Sequence, residues 1–307
     1  MMTDQIEDIE RSVVKERASA FYEPLSAWWD ENARDFPWRF GKTSSWGVLI
    51  SEVMSQQTPM SRVLPYWNTW MSVWPEPADL ARATPAEVIT AWGTLGYPRR
   101  ALRLRECAQT IVKRHNGKVP STYEELTALP GIGDYTASAV LSFYFHQRIT
   151  VIDTNIRRVL SRSVEGTESL GGSATVQEKK IANLALPDDT HASVIWNQAT
   201  MELGATVCTA KNPLCDDCPL QEKCVFLAAG KPGLGQKRTR PRQSFTGTNR
   251  QVRGLILKAL RSNISHKLEY SDVQKIWDNH AQLDECIASL DEDGLIVIGK
   301  NHAIALP

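Results

Sequence analysis

The stretch "LTALPGIGDYTASAVLSFYF" at 126–145 carries two glycines, Gly131 and Gly133, between two apolar runs. Glycine adopts backbone conformations closed to other residues, so "LPGIGD" allows a sharp reversal between two helices. The same residues bare backbone N–H groups beside a helix N-terminus. Such groups, with the helix dipole, form an anion site. The plain alternative is an ordinary helical hairpin.

The rest of the chain agrees with a helical reading. "IEDIERSVVKERASAFYEPLSAWWDENAR" has apolar positions at helical spacing, and "SWGVLISEVMSQQTP" reads as a helix closed by Pro59. In "STYEELTAL", Ser121 followed by Glu124 predicts a capping box. Asp134 or its neighbour caps "DYTASAVLSFYF", and Asp153 is the expected N-cap of "DTNIRRVLSR". No strong strand alternation precedes residue 290. Seven of the ten tryptophans fall between Trp28 and Trp74, which predicts a bulky aromatic core.

Length and charge bound the function. At 307 residues, two or three domains are expected. No apolar run reaches the roughly 18–20 residues of a membrane span, and the acidic, polar N-terminus shows no signal peptide, so a cytoplasmic location is expected. Lys and Arg number 35 against 35 acids. A nucleic-acid partner therefore has to be held by local patches or by backbone donors.

"GKPGLGQKRTRPRQ" breaks the helical pattern and reads as a flexible basic linker, placed at 231–244. Three helical segments follow, at about 249–262, 271–279 and 281–293. "LIVIGKNHAIAL" then gives a hairpin signal around Gly299, Lys300 and Asn301. Together they suggest a winged-helix-like module over 245–307. Its third segment carries Asp284, Glu285, Asp291, Glu292 and Asp293, which would meet phosphates unfavourably. The module is not expected to read the major groove in the usual way.

Four of six cysteines cluster as C-x6-C-x2-C-x5-C: Cys208, Cys215, Cys218 and Cys224. A metal site is favoured over disulfides. Zinc and an iron–sulfur cube both fit four thiolates, and spacing alone leaves the two open. Cys107 and Cys286 stand apart and are expected to be buried and inert.

Two carboxylates are candidates for chemistry. Glu52 lies among Ile50, Val53 and Met54, where an apolar setting raises a carboxyl pKa and suits a general acid. Asp153, at a helix start, is expected to be held ionised. Opposite protonation states in two acids are what glycosidic cleavage needs. The plain readings are an exposed helical Glu and a simple N-cap.

Taken together, residues of about 20–228 resemble the helix-hairpin-helix DNA glycosylases that carry an iron–sulfur cluster, and most closely the adenine-specific MutY family. "RDFPWR", "SEVMSQQTP", "LGYPRRALRL", "LPGIGDYTASAV" and "VIDTNIRRVLSR" carry the likeness, followed by the cysteines. The resemblance implies a mainly α fold of two helical domains with the small C-terminal α+β module. A six-helix barrel with the hairpin would span 43–150. A cluster domain would combine 1–42 with 151–230, and the active site would lie in the cleft between them. It implies a [4Fe-4S] cluster on the four cysteines, largely structural, holding a basic loop with Lys211 against DNA.

The implied activity is hydrolysis of adenine from double-stranded DNA containing A:8-oxoguanine or A:G mispairs, by a monomeric enzyme acting on the bacterial nucleoid, with no membrane partner. Glu52 would protonate the flipped adenine at N7, and Asp153 would stabilise the sugar cation. Tyr135 and Asn155 would position these acids. Arg34, Trp38, Arg39 and Gln57 would line the adenine pocket, Tyr97 would wedge into the base stack, and Gly131 and Gly133 would hold a phosphate. In strand-cleaving relatives the position of Tyr135 is a lysine, and a phenol forms no Schiff base. Two departures stand out. Ser55 replaces the intercalating leucine of many relatives. Only 83 residues follow Cys224, and they do not resemble the nucleotide-hydrolase-like domain that reads 8-oxoguanine in larger relatives. The rival readings are a bifunctional endonuclease III-like glycosylase and lyase for oxidised pyrimidines, and a non-enzymatic metal-stabilised DNA-binding protein.

Overall fold

Helical periodicity dominates the sequence, and a computed structural model of the chain is built accordingly. It describes residues 2–236, 245–299 and 302–307, with side chains from residue 11 onward. Most of the expected basic linker, residues 237–244, and the hairpin tip at Lys300 and Asn301 lie outside the described residues. The helices are α1 (Met2–Asn32), α2 (Ser45–Ser55), α3 (Met60–Val73), α4 (Pro77–Arg82), α5 (Pro85–Trp92), α6 (Arg99–Arg114), α7 (Tyr123–Thr127) and α8 (Asp134–Phe143). Then come α9 (Thr154–Leu160), α10 (Val176–Ala185), α11 (Thr190–Thr206), α12 (Val225–Ala228), α13 (Asn249–Ser262), α14 (Tyr270–Gln274) and α15 (His280–Glu292). No helix among the described residues is long and apolar enough to cross a membrane.

The chain divides into two units, Met1–Lys42 with Asp134–Arg240, and Thr43–Gly133 with Pro241–Pro307. In the first, Phe21, Leu25 and Trp29 of α1 pack with Ile156 and Leu160 of α9 and with Trp196 and Leu203 of α11. The helix starts follow from capping side chains. Asp153 caps α9, Thr175 and Glu178 form a capping box on α10, and Asp189 caps α11. α9 runs on into a π turn, Ser161–Glu165, which carries the buried Arg162.

The second unit is built around aromatic side chains, as the tryptophan density predicts. Trp46, Trp70 and Trp92 are fully buried, and Trp70 meets Trp74 and Trp92 edge-on at 4.9 and 5.4 Å. Each buried indole needs an acceptor. Trp46 Nε1 donates to the Trp74 carbonyl and Trp67 Nε1 to that of Gly47. α2 is buried on every side, from Trp46 through Met54. The cap of α7 falls one residue later than the sequence pattern suggests. Thr122, not Ser121, accepts from the Glu125 N–H, because the helix begins at Tyr123.

The C-terminal segment holds three helices and a three-stranded antiparallel sheet in the order β1-β3-β2, with β1 at Lys267–Leu268, β2 at Val297–Ile298 and β3 at Ile304–Ala305. β1 precedes residue 290 and escaped the sequence reading, since two residues are too few for an alternation. α14 is shorter than the segment expected at 271–279. This module does not stand apart within its unit. Its core of Val252, Ile256, Leu260, Leu283, Leu290 and Ile304 includes Ile89 of α5, with Ala86 and Leu102 packed against it. The Ala86 N–H donates to the Pro307 carbonyl at 3.0 Å. Asp284, Glu285, Asp291 and Glu292 on α15 are exposed to solvent.

Candidate active site

Glu52 sits on the buried α2 and is 6% exposed, so the plain reading of an exposed helical glutamate is excluded. The end of this helix is fastened by a residue whose role the sequence reading missed. Arg100 of α6 donates to the carbonyls of Val53 at 2.8 Å and Gln56 at 2.7 Å. A cation there satisfies carbonyls that a helix C-terminus leaves open. Its signal was the basic pair in "YPRRAL". Ser55 closes the same turn, its Oγ donating to the Glu52 carbonyl at 3.1 Å. Gln57 and Tyr97 both take left-handed backbone, φ +56° and +48°, which few side chains adopt. Tyr97 is half-exposed, and Arg100 and Arg250 lie 5.6 and 5.3 Å from its ring centroid.

The two turn glycines are not equivalent. Gly131 has φ +78°, and a Cβ there would stand 2.9 Å from Arg103 Cβ. Gly133 has ordinary backbone, and a Cβ there would meet open space. Among the described residues neither glycine N–H donates to a backbone carbonyl. Gly131 is thus required by the turn itself, whereas neither backbone conformation nor crowding requires glycine at 133.

The other unit holds Asp153, Tyr135 and Asn155. Asp153 Oδ1 accepts from the N–H groups of Asn155 and Ile156 at 2.9 and 2.7 Å, and Oδ2 accepts from Asn155 Nδ2 at 2.8 Å. These donors favour the carboxylate, yet burial outweighs them and pushes the Asp153 carboxyl above the usual aspartate range. The N–H groups at the helix start act in the expected direction, and burial works against them. The sequence showed the cap but not the depth of burial. Asn155 Oδ1 in turn accepts from Arg158 at 2.7 Å, and Arg158 also donates to the carbonyls of Gly204 at 2.6 Å and Cys208 at 2.7 Å. Tyr135 packs half-buried on this unit's core.

α11 carries two further residues that the sequence reading missed, both within "TMELGATV". Gly204 lets α9 approach: a Cβ on it would lie 2.7 Å from Asn155 Cβ. Glu202 is 1% exposed and binds Arg34 at 2.5 and 3.0 Å and Arg39 at 2.8 Å. Desolvation opposes its charge, but these guanidiniums win and hold Glu202 below the usual glutamate range. An acid and a glycine inside an apolar helix were the available signals. Trp38 is buried and stacks flat on Phe36, ring centroids 4.9 Å apart. The guanidiniums of Arg34 and Arg39 are thus anchored inside this unit, with Arg39 also 5.2 Å from the Trp29 ring.

Cys208, Cys215, Cys218 and Cys224 are free thiols lining one small cavity, with Phe226, Leu227 and Arg162 around them. All four cysteines line the same cavity, so one metal group could be bound by the whole set. Arg162 organises the wall. It donates to the carbonyls of Thr209 and Ala210 at 2.8 and 3.1 Å, reaches Cys208 Sγ at 3.5 Å, and pairs with buried Glu168 at 2.7 Å. Cys107 and Cys286 are buried elsewhere, as expected.

Comparisons with known proteins place the chain among its relatives. Residues 50–171 match the model of the HhH-GPD superfamily base excision DNA repair protein, and residues 208–224 match that of the iron–sulfur binding domain of endonuclease III. An adenine DNA glycosylase of Mycobacterium tuberculosis (strain CDC 1551 / Oshkosh) is 43% identical over 284 residues, covering 92% of each chain. One from Mycolicibacterium smegmatis is 44% identical over 274 residues, 89% of this chain and 91% of the relative. Alignments this long reach into the C-terminal module. A thermostable thymine-DNA glycosylase shares the fold, with a TM-score of 0.61 at 23% identity over 70% of this chain and 98% of the other.

Proposed function

The chain belongs to the adenine DNA glycosylase family, and from that premise we propose that it excises adenine paired with 8-oxoguanine or guanine, hydrolysing the base without cutting the strand. It is a base-excision-repair enzyme for DNA, specific for adenine, and it carries a [4Fe-4S] cluster held by Cys208, Cys215, Cys218 and Cys224. When bound, the cluster would supply a rigid cross-link among four thiolates that lie within a 17-residue stretch.

The contrast between two carboxyl settings carries the chemical reading. Glu52 is buried on an apolar helix, and Asp153 sits at a helix start, held by three hydrogen-bond donors. Glu52 gives its proton to N7 of the extrahelical adenine, which turns the base into a better leaving group. As the glycosidic bond stretches, positive charge grows on the sugar. Asp153, its geometry fixed by Asn155, faces that charge as carboxylate. Water completes the displacement and leaves an abasic site. Gly131 and Gly133 bind a phosphate through their N–H groups, Gln57, Trp38, Arg34 and Arg39 shape the adenine pocket, and Tyr97 wedges the duplex. The enzyme works as a monomer on the nucleoid.

Tyr135 argues against the lyase alternative, because a phenol offers no amine to the sugar. A base-release assay tests the whole reading. Duplexes carry A opposite 8-oxoguanine, G or T, or carry thymine glycol. Release of adenine from the first two, with no borohydride-trapped protein–DNA product, is expected. Activity on thymine glycol alone, or strong trapping, overturns it.

A further inference from the structure

Within the second unit, a groove of about 730 Å3 runs between the 93–99 loop and the start of α13; Gln57 and Tyr97 lie on its wall, and its arginines have no part in the chemistry above. Its charged lining is one-sided. Arg62, Arg99, Arg250, Arg253 and Arg261 face a single carboxylate, Asp293. That acid is already taken by Arg99 at 3.0 Å and Arg253 at 2.5 Å. In a chain whose charges balance, 35 against 35, this is a local concentration of cation. Arg62 is exposed and, among the described residues, its side chain donates only to the Thr94 carbonyl. Arg250 is exposed, pairs with no carboxylate among the described residues, and lies over the Tyr97 ring at 5.3 Å.

We propose that this groove grips the phosphodiester backbone of DNA next to Tyr97, with Arg250 as the principal contact. The inference rests on the glycosylase reading. A guanidinium stacked on an aromatic ring is pre-oriented, and its fork matches a phosphate bidentately. The module then meets DNA through the start of its first helix. Its third helix, with Asp284, Glu285, Asp291 and Glu292 exposed, points the wrong charge at a duplex. The core shared with Ile89 and the Asp293 bridge between Arg99 and Arg253 fix the module to the α5–α6 region, so Arg250 is carried at a set position beside Tyr97.

Fluorescence-anisotropy titrations of the full-length, cluster-loaded protein test this over a range of salt concentrations. The probes are a labelled duplex with A opposite 8-oxoguanine, in the Glu52→Gln background to prevent turnover, and the same duplex with A opposite T. Arg250→Ala is expected to weaken binding several-fold at low salt and to reduce the slope of log K against log salt by about 1. Arg250→Glu weakens it further, Arg250→Lys keeps most of it, and the loss is equal on both duplexes. An unchanged slope in both Arg250→Ala and Arg250→Glu overturns the proposal. A loss confined to the 8-oxoguanine duplex overturns the backbone assignment in favour of base reading. Absence of adenine release by the wild-type protein sinks the glycosylase reading and is scored separately from these slopes.

Discussion

Asn155 holds Asp153 at both oxygens, its backbone N–H on Oδ1 at 2.9 Å and its Nδ2 on Oδ2 at 2.8 Å. Its own amide oxygen is held by Arg158, which also binds the Cys208 carbonyl. The aspartate proposed to face the sugar cation is therefore two side chains from a cluster ligand. Gly204 makes this possible by leaving room for Asn155.

Asp153→Asn is expected to lower adenine release by at least about 100-fold, since the charge opposite the sugar is lost. The fold should survive, because Asn is also a good N-cap. Burial raises the folded-state pKa of Asp153 above its unfolded value, so the folded protein binds this proton more tightly. That contribution is present below the unfolded aspartate pKa and is lost as pH rises through the folded one. The variant should therefore melt higher than wild type at neutral pH, with the gap closing on acidification. Thermal melts across pH check the sign.

Glu202→Gln removes a buried charge that two guanidiniums share. A loss of about 3 kcal/mol is expected, toward the lower end for a broken buried pair because the Arg34 side chain is 40% exposed. The pKa of Glu202 is depressed in the folded state, so its stabilisation is present above the unfolded glutamate pKa and is lost as pH falls through the folded value. Urea unfolding of both proteins should differ most near neutrality and converge in acid.

Gly131→Ala and Gly133→Ala separate fold from contact. The first forces a side chain into left-handed backbone against Arg103 and should cost about 1–2 kcal/mol. The second meets open space and should leave the melting temperature within the range of about 0.5 kcal/mol expected for a neutral surface change. If the turn binds a phosphate, Gly133→Ala weakens DNA binding while stability is untouched. Equal DNA affinity for wild type and Gly133→Ala would count against that role.

Arg162→Ala deletes the donor to the Thr209 and Ala210 carbonyls and leaves Glu168 buried without its partner. The protein should purify with less iron and weaker broad visible absorbance, and should lose about 3–5 kcal/mol of stability. Cys224→Ser should lower iron content while leaving the Arg162–Glu168 pair in place. Iron analysis with calorimetry distinguishes the two.

Much of this protein was legible in its sequence because the governing interactions are local. Asp153 caps α9 through residues two and three positions on, the glycine turn and the cysteine spacing are short motifs, and apolar periodicity marks the helices. Two local readings slipped: the α7 cap moved from Ser121 to Thr122, and β1 was too short to show a pattern. The tertiary structure decided what depends on distant partners. Glu202 meets Arg34 across 168 positions of sequence, and Arg158 meets Cys208 across 50. Neither pairing leaves a trace in either segment alone. The structure also distinguished the two glycines and showed that burial works against the hydrogen-bond donors that favour the Asp153 carboxylate. Burial is a property of everything packed around a group, and desolvation grows with it, whereas a sequence displays only the neighbours along the chain.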